Sequence, residues 1–207
     1  GGDDDDDCGD NEASVCVWSA GSGGDGDDDD DDEASVCVWS ASDDDGGRSR
    51  LDSGVDIDHP DLAANIWVNP RETCGNGADD DRNGFVDDCR GWDFGANDND
   101  PRPQSGTASA AHGTHVAGII GAARNGTGVV GIAPQTKLMA LKVATPDGQL
   151  STSAIYSAIV YAADNGAKVI NLSLGTSPGT PRSGVTTMEQ AIAYAGTRGV
   201  MVIAASG

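Results

Sequence analysis

In the C-terminal half of the chain, continuous apolar runs typical of buried strands alternate with longer segments typical of helices. The segments LMALKV, KVINLSLG and VMVIAASG are continuous apolar runs of strand length, as expected for strands covered on both faces of a sheet. Between them, STSAIYSAIVYAADNGA and MEQAIAYAGTRG are predicted to be helices. Ser151 or Ser153 can cap the first helix, and Gly166 and Gly199 can end the two helices.

This order of strand, helix, strand, helix, strand predicts an α/β domain with a mostly parallel sheet and right-handed crossovers. Active sites in such sheets lie at the carboxyl ends of the strands. The residues that follow KVIN and VMVIAA, and the loop before LMALKV, are therefore candidate site positions.

The N-terminal region has a different pattern. The nonapeptide EASVCVWSA occurs at residues 12–20 and again at residues 33–41, with aspartate runs around both copies. Two short apolar segments cannot bury enough surface by themselves to offset chain entropy. We therefore predict that residues 1–50 are a disordered, low-complexity acidic region, with weak calcium sequestration as the functional alternative, and that residues 51–207 form the domain.

Charge and composition exclude some functions. The net charge is -22, but residues 1–50 hold 18 of the 34 acidic residues and two arginines, so the remainder is only mildly acidic. An acidic excess argues against nucleic-acid binding and is compatible with divalent cations. We expect no membrane partner, because no apolar run reaches about 18 residues. Five cysteines are too few for a disulfide scaffold.

Two motifs suggest catalytic chemistry. Asp52 lies in LDSGVDIDHPDL, just before a Ser-Gly turn, and His112 and His115 lie in AAHGTHVAG at the predicted start of a helix. The two histidines could be a metal pair, a catalytic base with a structural neighbour, or ordinary helix residues. The metal pair is disfavoured because no acidic residue stands between them, as in HExxH proteases, and no third ligand is evident.

These motifs resemble those of the subtilisin-like serine proteases, the subtilases. DSGVDIDHPDL fits the family's aspartate motif at every position, and HGTHVAG fits its histidine motif, with Ala111 where glycine is usual before it. The resemblance implies a subtilisin-like three-layer fold, incomplete in these residues, and an Asp-His-Ser triad. Asp52 would orient His112, His112 would act as general base, and His115 would be structural.

The resemblance also implies where an extended peptide substrate binds. One wall of the primary pocket would be formed by Ser173, Leu174 and Gly175, and the opposite wall by Ala205, Ser206 and Gly207. The family's serine motif, G-T-S-x-[AS]-x-P, and its oxyanion asparagine do not occur among the 207 residues. We therefore expect this chain alone to be unable to hydrolyse peptides by the triad mechanism. Only Leu51 is apolar directly before Asp52, where the family has a buried strand.

An aspartate-rich insertion at residues 69–104 suggests calcium. Asp79, Asp81, Asn83 and Asp87 match ligand positions of an EF-hand loop, but Arg90 stands where a bidentate glutamate is normal. We predict a compact calcium loop instead of a true EF-hand. Cys74 and Cys89 flank this loop. They could clamp it with a disulfide, and the alternative is a solvated acidic turn with two free thiols.

The resemblance implies a second calcium site. Asp61 and Asn125 match its side-chain ligands, and AARNGTG matches the loop whose carbonyls complete the shell.

Two functions follow from these expectations. The first is a calcium-stabilised serine endopeptidase, monomeric and acting on protein or peptide substrates outside the cell or in a secretory lumen. The second is a non-catalytic calcium-binding extracellular module on a degenerate protease fold.

Overall fold

The computed structural model describes residues 35–40, 54–104, 111–145, 150–173 and 182–205, with only the backbone given for residues 35–40 and 182–185. The elements in chain order are β1 (Ser35–Ser40), a 3₁₀ turn (Ala63–Asn65), β2 (Gly91–Asp93), α1 (His112–Gly121), β3 (Lys137–Lys142), α2 (Thr152–Asp164), β4 (Val169–Ser173), α3 (Arg182–Thr197) and β5 (Met201–Ala204).

The five strands form one parallel sheet in the order β2-β3-β1-β4-β5. The β3–α2–β4 and β4–α3–β5 segments are the crossover units that the alternating pattern predicts. The parallel α/β class is thereby confirmed.

Helices cover both faces of the sheet because the side chains of β3 alternate. Leu138 and Ala140 pack with Val116 and Ile120 of α1 in one core cluster. Met139 and Leu141 pack on the opposite face, in the cluster that contains the buried residues of α2 and α3. Helices therefore pack on both faces of the parallel sheet.

The predicted strands and the first predicted helix lie close to their expected bounds, whereas α3 begins at Arg182, six residues before the predicted start at Met188. Gly166 and Gly199 follow α2 and α3 with φ values of 81° and 74°, a left-handed conformation that glycine adopts without strain. Ser151 is the N-cap residue of α2, but its side chain makes no capping hydrogen bond. The Oγ atoms of Ser151 and Ser153 lie 2.6 Å apart instead.

The disorder predicted for residues 1–50 requires correction at Ser35–Ser40, which form β1 in the middle of the sheet. The physical reason is that this apolar segment does not have to bury itself alone. Without β1, strands β3 and β4 would each leave a row of main-chain donors and acceptors unpaired, and a parallel strand between them pairs both rows. The other residues of this region lie outside the described part of the chain.

Candidate functional site

The histidine motif begins helix α1. His112 is the first residue of the helix and is half-buried. Gly113 follows it in the first turn of the helix and is buried. Asp52 lies outside the described residues, but the rest of its motif is placed beginning with Gly54.

The two motifs are held together by direct contacts. The backbone N–H of Asp56 donates to Thr114 Oγ1 over 2.9 Å, and Thr114 is the third residue of α1. Val55 and Ile57 lie in the same core cluster as Val116. The loop that carries the aspartate motif is therefore fixed against the helix that carries the histidine motif.

Gly54 explains the Ser-Gly turn of the aspartate motif. Its φ is 88°, and a Cβ atom there would lie 2.3 Å from the carbonyl oxygen of Pro101. The N–H of Val55 donates to that same carbonyl over 3.0 Å. Only glycine allows the turn to approach this closely.

His115 differs from His112 in its surroundings. Its side chain is exposed and borders an apolar groove of about 760 Å³ that Leu62, Ile119 and Val129 also line. In the described residues, no histidine belongs to a group of three or more metal-ligating side chains. The two histidines therefore differ in exposure: His112 is half-buried and His115 is exposed.

The predicted substrate edge is partly described. Ser173 ends β4, and its Oγ accepts a 2.8 Å hydrogen bond from Asn171 Nδ2. Ala205 follows the neighbouring strand β5, and its N–H donates to the carbonyl of Leu172 over 3.1 Å. These two predicted wall residues lie at the carboxyl ends of adjacent parallel strands. The remaining predicted wall residues lie outside the described part of the chain: Leu174, Gly175, Ser206 and Gly207.

The aspartate-rich insertion is closed by a disulfide. Cys74 and Cys89 are bonded, with their Cα atoms 5.7 Å apart, so the proposed clamp is confirmed. Cys74 is exposed and Cys89 is buried.

The four predicted calcium ligands of this loop are not all brought to one point. Asp79 caps the loop, because its two carboxylate oxygens accept the N–H groups of Asn83 and Gly84 over 3.0 and 2.9 Å. Asp87 accepts three main-chain N–H groups, from residues 75–77, at 2.7 to 3.1 Å. Its φ of 54° turns its side chain toward that turn.

A different set of carboxylates converges. One carboxylate oxygen from each of Glu72, Asp81 and Asp88 lies within 4.8 Å of the other two. Glu72 Oε2 is buried and accepts no hydrogen bond, while Glu72 Oε1 accepts the N–H groups of Asp80 and Asp81. An orphaned buried carboxylate oxygen is the donor that a hard cation requires, so this acidic cluster could bind a metal ion.

Only Asp81 belongs to both the predicted and the observed sets. Asn83 is adjacent, because its Nδ2 donates to Asp81 Oδ2 over 3.2 Å and to Asp88 Oδ2 over 2.8 Å. The sequence-based prediction missed Glu72 and Asp88. Glu72 lies two residues before Cys74, and Asp88 directly precedes Cys89. This proximity to the bonded cysteines is the sequence signal that could have identified them.

Asp88 joins the cluster to the body of the domain. It is fully buried, and its carboxylate accepts hydrogen bonds from Asn69 Nδ2 over 2.9 Å and from the Tyr161 hydroxyl over 2.6 Å. Tyr161 belongs to α2. Its ring packs edge-on against Phe85 and Phe94, which anchors the insertion to the helix layer.

The second predicted calcium pair is brought together. Asn125 Nδ2 donates to Asp61 Oδ1 over 3.2 Å, and the N–H of Val129 donates to Asp61 Oδ2 over 3.1 Å. The Val129 N–H, followed by the Asn125 amide, lowers the pKa of the Asp61 carboxyl below its ordinary value. Both carboxylate oxygens of Asp61 therefore accept hydrogen bonds, in contrast to Glu72 Oε2, which accepts none.

A buried ion pair fixes the edge strand β2. Lys142 Nζ lies 2.6 Å from Asp93 Oδ2, and both side chains are almost fully buried. Asp93 Oδ1 accepts the N–H groups of Gly95 and Ala96, so the whole carboxylate is satisfied. This pair ties the end of the insertion to β3.

Among the described helices, none is both long enough and apolar enough to cross a lipid bilayer.

Comparison with known proteins agrees with this geometry. Residues 49–207 match the model of the Subtilase family. The chain is 39% identical over 158 residues to the "Thermophilic serine proteinase" of Bacillus sp. (strain AK1), and 38% identical over 158 residues to "Thermitase" of Thermoactinomyces vulgaris. Each alignment covers 76% of this chain, but only 31% and 45% of the respective relatives.

Among solved structures, the fold is similar to that of "S41 Psychrophilic Protease". The TM-score is 0.56 at 30% sequence identity, with 83% of this chain and 45% of that chain covered. The chain therefore spans less than half of the lengths of the relatives and of the solved structure that it matches.

Proposed function

Because this chain belongs to the subtilase family, we propose that it supplies the aspartate and the histidine of a serine endopeptidase. One observation carries the proposal: the Asp56–Thr114 hydrogen bond holds the loop of the aspartate motif against the first turn of α1, where His112 lies. The proposed substrates are proteins or peptides.

The proposed chemistry divides between the two side chains. His112 takes the proton from a serine hydroxyl as the serine attacks the peptide carbonyl, and later donates it to the leaving amine. Asp52 accepts a hydrogen bond from the imidazole, which fixes its tautomer and stabilises the imidazolium. The family's serine motif does not occur among these 207 residues, so the nucleophilic serine is not assigned to a residue of this chain. An extended peptide would lie beside Ser173 and Ala205, at the carboxyl edge of β4 and β5.

A chimera tests the catalytic assignment. Residues 51–207 would replace the aligned segment of an active subtilase that provides the serine motif, and hydrolysis of a chromogenic tetrapeptide would be measured. His112→Ala should lower kcat by roughly 10²–10⁴-fold, the usual contribution of a general base. His115→Ala is the matched control and should retain activity, because that side chain is exposed. Equal losses from both substitutions would refute the assignment.

The same proposal holds that the 207-residue chain alone does not hydrolyse peptides. The test is to incubate the purified chain with the same substrate and with a fluorophosphonate probe that labels activated serines. Neither turnover nor labelling is expected. Labelling of any serine in the wild-type chain that His112→Ala abolishes would show that a nucleophile is present after all.

We further propose calcium as the ion held by Glu72, Asp81 and Asp88. The three carboxylates bring a formal charge of -3, and Arg71 offsets one charge, with its Nε 3.3 Å from Asp81 Oδ2. The remaining formal charge of -2 suits a divalent cation, and an all-oxygen donor set suits calcium. Calorimetric titration of calcium into the chelator-treated chain tests this, and Glu72→Gln should weaken binding at least tenfold. Asp98→Asn, a substitution outside the cluster, is the control.

The disulfide supports a location outside the cell or in a secretory lumen, because oxidising compartments preserve such bonds. The cation cluster also supports the second candidate function, a non-catalytic calcium-binding module, since all three carboxylates lie in this chain. The chimera separates the two functions: calcium binding without any turnover would favour the module.

A further inference from the structure

Strand β1 occupies a slot between two other strands. Its backbone pairs with β3 from Ser35 to Val38 and with β4 from Val36 to Ser40, in parallel on both sides. Val36 is in register with Leu138 on one side and with Val169 on the other. A strand paired on both sides satisfies the facing main-chain donors and acceptors of both neighbours. The slot between β3 and β4 is therefore a binding site for an extended segment.

The segment that fills the slot is not directly continuous with the aspartate motif. Residues 41–53 connect β1 to Gly54, and their sequence is dominated by aspartate, glycine, serine and arginine. No apolar run of strand length therefore stands directly before the aspartate motif. The apolar pattern that fits the slot is carried by the repeat itself, SVCVWS at residues 35–40.

The chain carries that sequence twice. Residues 12–20 repeat residues 33–41 without a single change, so every position from Ser35 to Ser40 has an identical counterpart 21 residues earlier. Acidic residues precede both copies. Whatever backbone pairing and side-chain fit the slot offers to one copy, it offers to the other.

We propose that the slot between β3 and β4 accepts either copy of the repeat from the same chain, with the second copy preferred. The preference follows from the connection length. The connection to Gly54 is residues 41–53 for the second copy and residues 20–53 for the first. Loop-closure probability falls with about the three-halves power of length, so the second copy is favoured about fourfold.

Three variants of the full chain test the proposal. The first carries Val36→Asp and Val38→Asp, the second carries Val15→Asp and Val17→Asp, and the third carries all four substitutions. Aspartate is strongly disfavoured in a strand that is paired on both sides and covered by helices. Hydrogen–deuterium exchange with mass spectrometry would follow the amides of each copy, distinguished by their flanking residues, and thermal unfolding would follow the whole domain.

The expected results differ among the variants. In the wild type, the amides of the second copy are the more protected of the two. In the first variant, protection moves to residues 14–19 and the unfolding transition stays cooperative with a small decrease in Tm. The second variant, the matched control, behaves like the wild type. The third variant, with all four substitutions, loses protection in both copies and shows the largest decrease in Tm.

Three outcomes would overturn the proposal. The first variant could lose as much amide protection and Tm as the third variant, which would mean that the first copy does not enter the slot. All three variants could match the wild type, which would mean that neither copy contributes to the sheet. Protection of the first copy could rise only with protein concentration, together with a dimer in size-exclusion chromatography, which would mean that the strand comes from a second molecule.

Discussion

The insertion at residues 69–104 and the carboxyl edge of the sheet are built in opposite ways. The insertion closes on itself through a disulfide between residues 15 positions apart and through short-range hydrogen bonds in which its aspartates accept from main-chain and asparagine N–H groups. The carboxyl edge is assembled from strand ends that lie apart in sequence, among them Ser173 and Ala205. Contacts close in sequence need little loop closure, whereas distant contacts require the whole sheet.

This comparison teaches that the two candidate functions depend on different parts of the fold. Damage to the sheet should disturb its carboxyl edge, where the proposed substrate site lies, and also the insertion, since the insertion packs against α2 and β3. Damage within the insertion should weaken the cation cluster while the sheet persists. Four substitutions or changes of condition separate these cases.

The largest effect is expected from Leu138→Ala in β3. Leu138 is almost fully buried between the sheet and α1, and replacing such a leucine with alanine costs about 2–5 kcal/mol of unfolding free energy. Denaturant titration would measure the loss. Ile132→Ala is the control, because Ile132 is 60% exposed and its truncation should change stability by less than about 0.5 kcal/mol.

Removal of the disulfide should affect the insertion more than the sheet. Replacing Cys74 and Cys89 together by serine frees a loop of this size, which corresponds to about 3 kcal/mol in the chain-entropy account. We expect calcium affinity to fall at least tenfold in the same titration, because Glu72 and Asp88 lie beside the two cysteines. Cys8→Ser is the control. Unchanged calcium affinity in the double variant would show that the cluster is preformed without the bond.

A smaller effect is expected from Tyr161→Phe, which removes the hydroxyl that donates to Asp88. A hydrogen bond to a buried charged group contributes about 1.5–3 kcal/mol, so thermal unfolding should shift downward. Tyr156→Phe, a partly exposed tyrosine on the same helix, should leave the transition unchanged. If both variants unfold alike, the insertion is not anchored through this contact.

The smallest effect concerns acid pH. The pKa of Asp61 is lowered by the Val129 N–H and the Asn125 amide, so the folded state holds the carboxylate ionised below its ordinary range. This contribution to stability is complete above about pH 4 and is lost as the pH falls through the lowered value. Asp61→Asn should therefore flatten the decrease in stability between pH 6 and pH 3. A slope equal to that of the wild type would contradict the assignment.

Three of the five strands, β3, β4 and β5, were predictable from sequence because they are continuous apolar runs between helices, whereas β2, the three residues GWD, was not predicted. LMALKV and KVINLSLG identify β3 and β4 by local composition alone. β1 was not predictable in this way, since SVCVWS lies among aspartates and becomes a strand only through partners more than 90 residues away, at Lys137 and beyond. Burial supplied by distant residues is invisible to a local pattern.

The candidate site was predictable to a similar extent. The motifs placed His112 at the start of a helix and brought Asp61 and Asn125 together. The cation cluster was harder, because Asp87 and Asp88 are neighbours of identical type. The left-handed φ of Asp87 directs it to the turn at residues 75–77, and Asp88 enters the core. Which aspartate faces inward depends on a backbone angle that composition does not encode.

The disulfide of the insertion also has a consequence for how the cation cluster is assembled. Residues 74–89 form a covalent macrocycle that includes Asp81 and Asp88, with Glu72 two residues outside the closure. In the unfolded chain this ring limits how far the two carboxylates can separate, so bringing them together costs less conformational entropy than in an open chain. The covalent ring therefore preorganises two of the three carboxylates of the cluster.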